Sequence, residues 1–168
     1  MQATGLIVMG VSGCGKTSVG KALAAKLGWE FFDADSYHPP ENVAKMASGI
    51  PLDDEDRAPW LAALNGLLAR TLQSGGHPVL ACSALKQSYR DQLVNGNAGL
   101  RVVYLKGEYD LIFSRMTARG EHYMKPGMLK SQFDALEEPA DSITVEIDQP
   151  ILKIVDCVLR ELRAGERK

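Results

Sequence analysis

Cysteine is scarce in this sequence, which has three among its 168 residues: Cys14, Cys82 and Cys157. Three scattered cysteines cannot form a disulfide framework, and no two of them have the C-x-x-C spacing of a metal site. We therefore expect a reducing compartment, and the predicted location is the cytoplasm. An apolar run begins at Leu6, so no signal peptide is predicted ahead of it.

Long apolar runs are missing as well, and so is a strong charge of either sign. No run approaches the ~20 apolar residues of a membrane-spanning helix, so no membrane partner is predicted. The 19 Lys and Arg against 21 Asp and Glu give a net charge of −2, which provides no electrostatic reason to expect a nucleic-acid partner. Composition and length are those of one globular domain, predicted to span residues 1–168.

Glycine is concentrated at one place, where a phosphate-binding loop is predicted. The pattern G-x-x-x-x-G-K-T occupies Gly10-Val11-Ser12-Gly13-Cys14-Gly15-Lys16-Thr17. An apolar run precedes it and a segment with helical spacing follows it, which is the context of a true phosphate-binding loop. Its backbone N–H groups are predicted to bind a nucleoside triphosphate, with Lys16 reaching the β- and γ-phosphates and the Thr17 hydroxyl binding Mg²⁺. The alternative is a glycine-rich turn without a ligand.

Strand-like runs alternate with helix-like segments along the whole chain. The runs cover residues 6–9, 29–32, 78–82, 100–105 and 143–147, and clear helices are predicted near 41–48 and 151–163. This alternation predicts a three-layer α/β/α fold with a five-stranded parallel sheet.

Two polar segments interrupt the alternation. Residues 34–60, with an acidic loop expected at 53–56, are predicted to be a substrate-binding helical insert after the second strand. Residues 119–128 are predicted to be a lid between the fourth and fifth strands. Loops at this edge of an open sheet are where small kinases bind the acceptor and close over it. The alternative is two ordinary surface loops.

Two carboxylates follow the second strand-like run. Alternate residues of an extended segment point the same way, so Asp33 and Asp35 are both expected to face the phosphate-binding loop. A hydroxyl acceptor needs one carboxylate to orient and deprotonate it, and a second commonly helps to hold Mg²⁺. Helix capping or a turn is the alternative for each. His38 lies near the same place, as a substrate contact or as a local hydrogen-bonding group.

Cationic side chains near the same edge are candidates for binding an acidic substrate. Arg57 either binds a substrate carboxylate through its guanidinium or pairs with the neighbouring acidic loop. Lys86 and Arg90 lie on the first turns of the helix after the third run, where they could meet an anion, and Ser83 is expected to cap that helix. The third run ends without the aspartate that often orders Mg²⁺, which shifts that role to Thr17 and Asp33.

Further candidates surround the nucleotide. Arg115 and Arg119 are four residues apart on one helical face, where Arg115 could stack on the base and Arg119 could neutralise charge on the transferred phosphoryl group. A solvated basic face is the alternative. Lys125 is a possible helper from the lid, and the loop containing Pro150 lies at the correct edge to border the base.

The chain is similar to the bacterial gluconate kinases, a shikimate-kinase-like family of the nucleoside-monophosphate-kinase fold group. Beside the phosphate-binding loop, the resemblance rests on Lys45-Met46-Ala47-Ser48-Gly49, Cys82-Ser83-Ala84-Leu85-Lys86, Gln132-Phe133-Asp134-Ala135-Leu136-Glu137-Glu138-Pro139 and Asp148-Gln149-Pro150. It implies transfer of phosphate from Mg-ATP to the 6-hydroxyl of D-gluconate, and a homodimer. By position in the related shikimate kinases, Asp33 would order Mg²⁺, Asp35 would bind substrate near the reactive hydroxyl, and Arg57 would hold the substrate carboxylate.

Two other functions stay open at this point. One is a kinase for another small polyol acid, such as shikimate, which the same carboxylates would serve. The other is a nucleotide-sensing, GTPase-like regulatory module, which usually has an N-K-x-D motif for guanine. The only nearby segment, Asn95-Gly96-Asn97-Ala98, lacks that motif. Which of Arg119, His122 and Lys125 would reach the phosphate is also open.

Overall fold

A five-stranded sheet, parallel throughout, forms the centre of the molecule. The structure is a computed structural model and describes residues 2–118 and 126–167. The strands are β1 (Gly5–Met9), β2 (Glu30–Asp33), β3 (Pro78–Ala81), β4 (Leu100–Lys106) and β5 (Ile143–Glu146), in the order β2-β3-β1-β4-β5. Each begins and ends within one residue of its predicted position, which confirms the predicted α/β fold.

Helices fill the connections between the strands. They are α1 (Lys16–Leu27), α2 (Pro40–Ala47), α3 (Asp54–Gln73), α4 (Gln87–Val94), α5 (Tyr109–Ala118), α6 (Pro126–Ala135) and α7 (Ile151–Glu166), with a 3₁₀ turn at Ala34–Tyr37. Within the described residues, no helix is both long enough and apolar enough to span a membrane. Of the predicted lid, residues 119–128, the segment 119–125 with Arg119, His122 and Lys125 lies outside the described residues, and residues 126–128 form the start of α6.

The central strands are apolar on both faces because helices cover both. Along β1, Leu6 and Val8 face one hydrophobic core, which includes side chains of α1 and α7, while Ile7 and Met9 face a second core against α3 and α4. Side chains alternate across a strand, so a strand buried on both sides has no polar positions. The phosphate-binding loop follows β1, whose two neighbours β3 and β4 hold it at the centre of the sheet's carboxyl edge.

The acidic segment 53–56 is a helix start, which corrects the predicted loop. Asp53 is the N-cap of α3: its Oδ1 accepts from the Asp56 backbone N–H (2.7 Å), and the Asp53 N–H donates to Asp56 Oδ2 (3.0 Å). This reciprocal capping box satisfies two N–H groups, and carboxylates at a helix N-terminus are favoured by the helix dipole. Arg57 consequently lies inside α3, near its N-terminus, rather than before it.

Candidate active site

The phosphate-binding loop connects β1 to α1 and has the backbone geometry that its glycines predict. Gly13 has φ +80°, and a Cβ there would lie 2.7 Å from Met116 Cγ. Gly15, with φ 99°, is the N-cap of α1 and no side chain caps the helix. The first N–H groups of α1 are therefore available to an anion, with the positive end of the helix dipole behind them.

Lys16 folds back over this loop. Its Nζ donates to the carbonyls of Gly10 and Val11, at 3.0 Å each. The ammonium thus lies beside the loop backbone that is predicted to surround the phosphates. Cys14, by contrast, packs into the core with 2% exposure, and burial raises the pKa of its thiol despite the nearby Lys16 charge. Any contact of Cys14 with a nucleotide would therefore come from its backbone.

Carboxylates lie beside the loop, at the end of β2. Asp33 is the last residue of β2, and its Oδ1 accepts from the Asp35 backbone N–H (3.0 Å). Asp35 is exposed and belongs to the 3₁₀ turn rather than to an extended segment, which corrects the predicted reason for its orientation. Trp60 of α3 holds this turn, since its Nε1–H donates to the Ala34 carbonyl (2.8 Å).

The buried Cys82 thiol lies between the phosphate-binding loop and the carboxylates at the end of β2. Burial raises its pKa to about 12, and the charges of Lys16, Asp35 and Asp33 all act on it. Cys82 follows β3, the strand between β1 and β2. The phosphate-binding loop and the two carboxylates therefore lie at the same edge of the sheet, with one strand between them.

Thr17 and Asp33 suit a magnesium ion that arrives with a nucleotide. The Thr17 side chain is exposed at the start of α1, and Asp33 keeps one carboxylate oxygen beyond the bond to Asp35. Within the described residues, no group of three or more His, Cys, Asp and Glu could hold a metal alone. Mg²⁺ typically keeps several waters and takes one or two protein oxygens plus phosphate oxygens, so this sparse donor set fits it.

His38 packs beside the 3₁₀ turn that contains Asp35. Its ring stacks on Trp60, with centroids 4.2 Å apart, and its Nδ1 lies 3.3 Å from Asn42 Nδ2. Burial lowers the pKa of His38, against the opposing charge of Asp35. The neutral ring accepts from Asn42, so His38 has the local hydrogen bond that was its alternative role. Contact with a substrate stays a prediction for it.

Arg57 and Lys86 meet on a tyrosine that sequence analysis had not assigned a role. Arg57 Nη1 donates to the Tyr89 hydroxyl (3.2 Å), and both cations lie 5.5 Å from the centroid of the Tyr89 ring. The hydroxyl in turn donates to Asp54 Oδ1, and Lys86 Nζ lies 3.2 Å from the same carboxylate. No ion pair of the described residues involves Arg57.

This arrangement, the Tyr89 cluster (Asp54, Arg57, Lys86 and Tyr89), joins the N-terminal ends of α3 and α4. Two cations and one carboxylate leave it a net positive charge, and the bonds from Tyr89 and Lys86 lower the pKa of Asp54. The cluster is able to accept a further anion. The spacing of Lys86 and Tyr89, one helical turn apart, is the only sequence feature that could have indicated it.

Arg90 has a structural position, contrary to the prediction that it meets a substrate anion. It is 2% exposed. Its guanidinium donates to the carbonyls of Ala84 (2.7 Å), Leu85 (3.0 Å) and Glu137 (2.7 Å). Ala84 has φ 44°, a left-handed conformation that is uncommon without glycine, and the guanidinium stabilises this turn. The turn also delays α4, whose N-cap is Lys86, so Ser83 does not cap it.

Arg115 and Pro150, the two residues predicted at the nucleotide base, both lie near the end of β5. This strand is on the opposite side of β1 from β2. Arg115 Nη2 donates to the Ile147 carbonyl (2.8 Å), at the end of β5, and Pro150 is the N-cap of α7 immediately beyond. Arg115 as a whole is half-buried. Arg119, predicted to act beside it, lies outside the described residues.

A glycine-rich loop at a helix N-terminus, carboxylates at the end of β2 and a cationic cluster at the same sheet edge define a P-loop kinase for small molecules. Comparison with known proteins gives the family. The shikimate kinase family model matches residues 12–157. A probable gluconokinase from Mus musculus is 45% identical, covering 97% of this chain and 100% of that protein. The thermoresistant gluconokinase of Escherichia coli K12 is 43% identical, covering 95% and 94%.

A solved structure agrees with these relatives. The crystal structure of a gluconokinase from Sinorhizobium meliloti 1021 superimposes with a TM-score of 0.89 at 43% identity, covering 99% of this chain and 97% of that one. The chain belongs to the gluconokinase family of shikimate-kinase-like P-loop kinases.

Proposed function

We propose that this protein transfers the γ-phosphoryl group of ATP to the 6-hydroxyl of D-gluconate, giving 6-phospho-D-gluconate and ADP. The observation that carries the proposal is the sharing of one sheet edge by the phosphate-binding loop, the Asp33–Asp35 turn and the cationic Tyr89 cluster. Gluconate has a hydroxyl at one end and a carboxylate at the other, and this site has a carboxylate and a cationic cluster to match. The gluconokinase names of the relatives support the same substrate.

On the donor side, the free backbone N–H groups of the phosphate-binding loop bind the phosphates of ATP, while the Ser12 N–H donates to Gln132 Oε1. Lys16 exchanges its two carbonyl partners for phosphate oxygens, so the loop contacts at 3.0 Å hold the ammonium ready beforehand. Mg²⁺, when bound, neutralises charge on the phosphates, and Thr17 and Asp33 are the protein groups that would hold it. Arg115 and Pro150 border the adenine, and Arg119 neutralises charge on the group in transfer.

On the acceptor side, Asp35 orients the 6-hydroxyl and takes its proton. The hydroxyl oxygen forms a bond to the γ-phosphorus while the bond to the leaving ADP oxygen breaks, and the proton moves to the Asp35 carboxylate. Asp35 is exposed in the 3₁₀ turn, so an incoming hydroxyl can reach it. The 3₁₀ turn is held at Ala34 by Trp60, which fixes the direction from which the carboxylate approaches.

At the other end of the substrate, Arg57 and Lys86 bind the gluconate carboxylate. Arg57 uses Nη1 on Tyr89, which leaves the rest of its planar fork for a carboxylate. Lys86 already pairs with the Asp54 carboxylate, and its side chain is 36% exposed. A substrate carboxylate would share or replace that ion pair. His38 lines the space between the two ends.

We further propose the surrounding features expected from the family: residues 34–60 as a substrate-binding insert and residues 119–128 as a lid. The same proposal includes a homodimer in the cytoplasm. Sedimentation equilibrium would test the dimer, and a single species at the mass of one chain would refute it.

The decisive experiment is a coupled ADP-release assay over D-gluconate, its epimers, shikimate and nucleoside monophosphates. Gluconate should give the largest kcat/KM, and phosphorus–carbon coupling in the NMR spectrum of the product should place the phosphate on C6. Turnover of shikimate or another polyol acid in place of gluconate would overturn the substrate while leaving the kinase class intact. Stabilisation by GTP but not ATP in a thermal-shift titration would favour the regulatory module instead.

A further inference from the structure

A glutamine of α6 reaches across to the phosphate-binding loop and binds it at two points. The Ser12 backbone N–H donates to Gln132 Oε1 (2.7 Å), and Gln132 Nε2 donates to Ser12 Oγ (3.0 Å). The two residues are 120 positions apart in the chain. A single amide that meets an N–H and a hydroxyl oxygen at once has only one orientation, because its carbonyl must face the N–H.

This pair of bonds also fixes the position of the Ser12 hydroxyl oxygen. Ser12 Oγ accepts from Gln132, so its own O–H is free to donate in another direction. Ser12 lies between Gly10 and Gly13, both with positive φ, in a segment whose glycines give it more conformational freedom than any other residue type would. By binding Ser12, Gln132 therefore restricts the backbone conformation of the glycine-rich part of the loop.

The scaffold behind Gln132 is firmly packed. Leu129, one turn earlier in α6, is 1% exposed in the hydrophobic core, and Phe133 packs edge-on against Tyr109 with ring centroids 5.6 Å apart. Just beyond α6, the Glu137 N–H donates to the Leu85 carbonyl (2.8 Å), and Arg90 donates to the Glu137 carbonyl. Gln132 thus extends from an element anchored at several points.

We propose that Gln132 is a positioning residue for phosphoryl transfer: it holds the Ser12 amide and hydroxyl so that the hydroxyl O–H faces the γ-phosphate. This inference rests on the proposed function of the loop as the ATP site. Preorganised donors accelerate a reaction because no reorganisation is needed as charge develops. Gln132 itself contacts Ser12 and not the reacting atoms, so its effect is on the rate of transfer more than on nucleotide affinity.

The test compares Gln132→Leu with a control on the exposed face of the same helix. Lys130 forms an ion pair with Asp134, and both side chains are more than 60% exposed (72% and 64%), so Lys130→Gln should leave kcat unchanged. Gln132→Leu should lower kcat by about ten- to a hundredfold, the usual cost of a slightly misplaced group. The Kd for ADP should change less than about threefold and the melting temperature should stay close to that of Lys130→Gln.

A double-mutant cycle with Ser12→Ala tests whether Gln132 acts through Ser12. If it does, the two substitutions together should lower kcat by much less than the product of their separate effects. Gln132→Glu keeps an acceptor for the Ser12 N–H but adds a negative charge beside the phosphates, so it should raise KM for ATP more than it raises the Kd for ADP.

Three outcomes would overturn the proposal: a normal kcat for Gln132→Leu, multiplicative effects in the cycle, or a loss of kcat matched by equal losses of ADP affinity and melting temperature. The slow hydrolysis of ATP by water is measured in parallel. A wild-type protein that hydrolyses ATP but ignores gluconate would refute the proposed substrate, whereas the hydrolysis ratio of Gln132→Leu to wild type would still decide the role of Gln132.

Discussion

Removal of the Arg57 guanidinium should weaken the binding of gluconate without affecting the nucleotide. Arg57 donates one hydrogen bond to Tyr89 at 3.2 Å, and its guanidinium lies 5.5 Å from the centroid of that ring. Both contacts hold the side chain at the N-terminal end of α3, apart from the phosphate-binding loop. Arg57→Ala would therefore remove the anion-binding fork and leave the β1–α1 connection intact.

The magnitude follows from the kind of contact that is lost. A hydrogen bond to a charged group contributes about 1.5–3 kcal/mol, which corresponds to a rise of about 10- to 150-fold in KM for gluconate. Arg57 is half-buried, so solvent screens part of the interaction and the lower half of this range is expected. Initial rates over gluconate concentration at saturating ATP would measure the effect, with the Kd for ADP as the reference for the donor side.

A neutral substrate analogue shows whether Arg57 recognises the carboxylate itself. Glucitol has a hydroxymethyl group where gluconate has its carboxylate, so wild-type protein should prefer gluconate strongly in kcat/KM. In Arg57→Ala that preference should largely disappear, because the group that discriminates between the two substrates is gone. Tyr89→Phe is the matched variant: it keeps the arginine but removes its hydroxyl anchor, and should have a smaller effect in the same direction. An undiminished preference for gluconate in Arg57→Ala would refute the assignment of the carboxylate site.

Three other substitutions or treatments test separate parts of the site. Asp35→Asn should lower kcat by about 10²- to 10⁴-fold with little change in ADP affinity, since it removes the proton acceptor; near-normal turnover would remove Asp35 from the mechanism. Gly13→Ala should abolish stabilisation by ATP in a thermal-shift assay, because its Cβ would lie 2.7 Å from Met116 Cγ at φ +80°; a normal shift would contradict the loop geometry. Iodoacetamide at neutral pH should modify half-buried Cys157 before Cys14, because burial raises the pKa of the Cys14 thiol. Peptide mass spectrometry would measure the order of modification. Modification of Cys14 first would show that the loop opens freely.

The sheet could be predicted closely because its strands are buried on both faces. In β1 and β3 every residue is buried, so the sequence shows short uninterrupted apolar runs whose ends are visible. The phosphate-binding loop is similarly local, since eight consecutive residues contain everything that forms it. Features that depend only on residues close together in the sequence could therefore be predicted.

The errors arose where local composition has two structural meanings. Consecutive acids at 53–56 are typical of a solvated loop, yet the same residues form a capping box when a helix follows, and the pair Asp53 and Asp56 has the required spacing. Asp35 was expected to share the direction of Asp33 through strand alternation, but Asp33 accepts from the Asp35 N–H and the chain turns there. Arg90 was expected at an anion because it lies on the first turns of the helix after the third run, but its carbonyl partners come from segments as distant as Glu137.

The residues that sequence analysis left without a role share a physical feature: each depends on a contact between distant parts of the chain. Tyr89 meets Asp54 across 35 positions, and Gln132 meets Ser12 across 120. Neither tyrosine in a helix nor glutamine in a helix has a spacing that distinguishes a functional side chain from a surface one. Tertiary packing alone brings them to the site.

The proposed ATP side and the proposed substrate side of the site are built from different elements. The substrate side can therefore change while the ATP side stays the same. The donor side is formed by β1, the glycine loop and α1, with Gln132 behind it, whereas the cationic Tyr89 cluster depends on the packing of α3 against α4. Substitutions at the N-terminal ends of α3 and α4 can change the charge and shape of the acceptor pocket while the loop keeps its contacts with Lys16 and Gln132. In the proposed mechanism, phosphoryl transfer needs the acceptor hydroxyl only at Asp35, so the groups that would bind the rest of the substrate are free to differ. The proposed mechanism therefore assigns specificity for a sugar acid to the α3–α4 contact and not to the phosphate-binding loop.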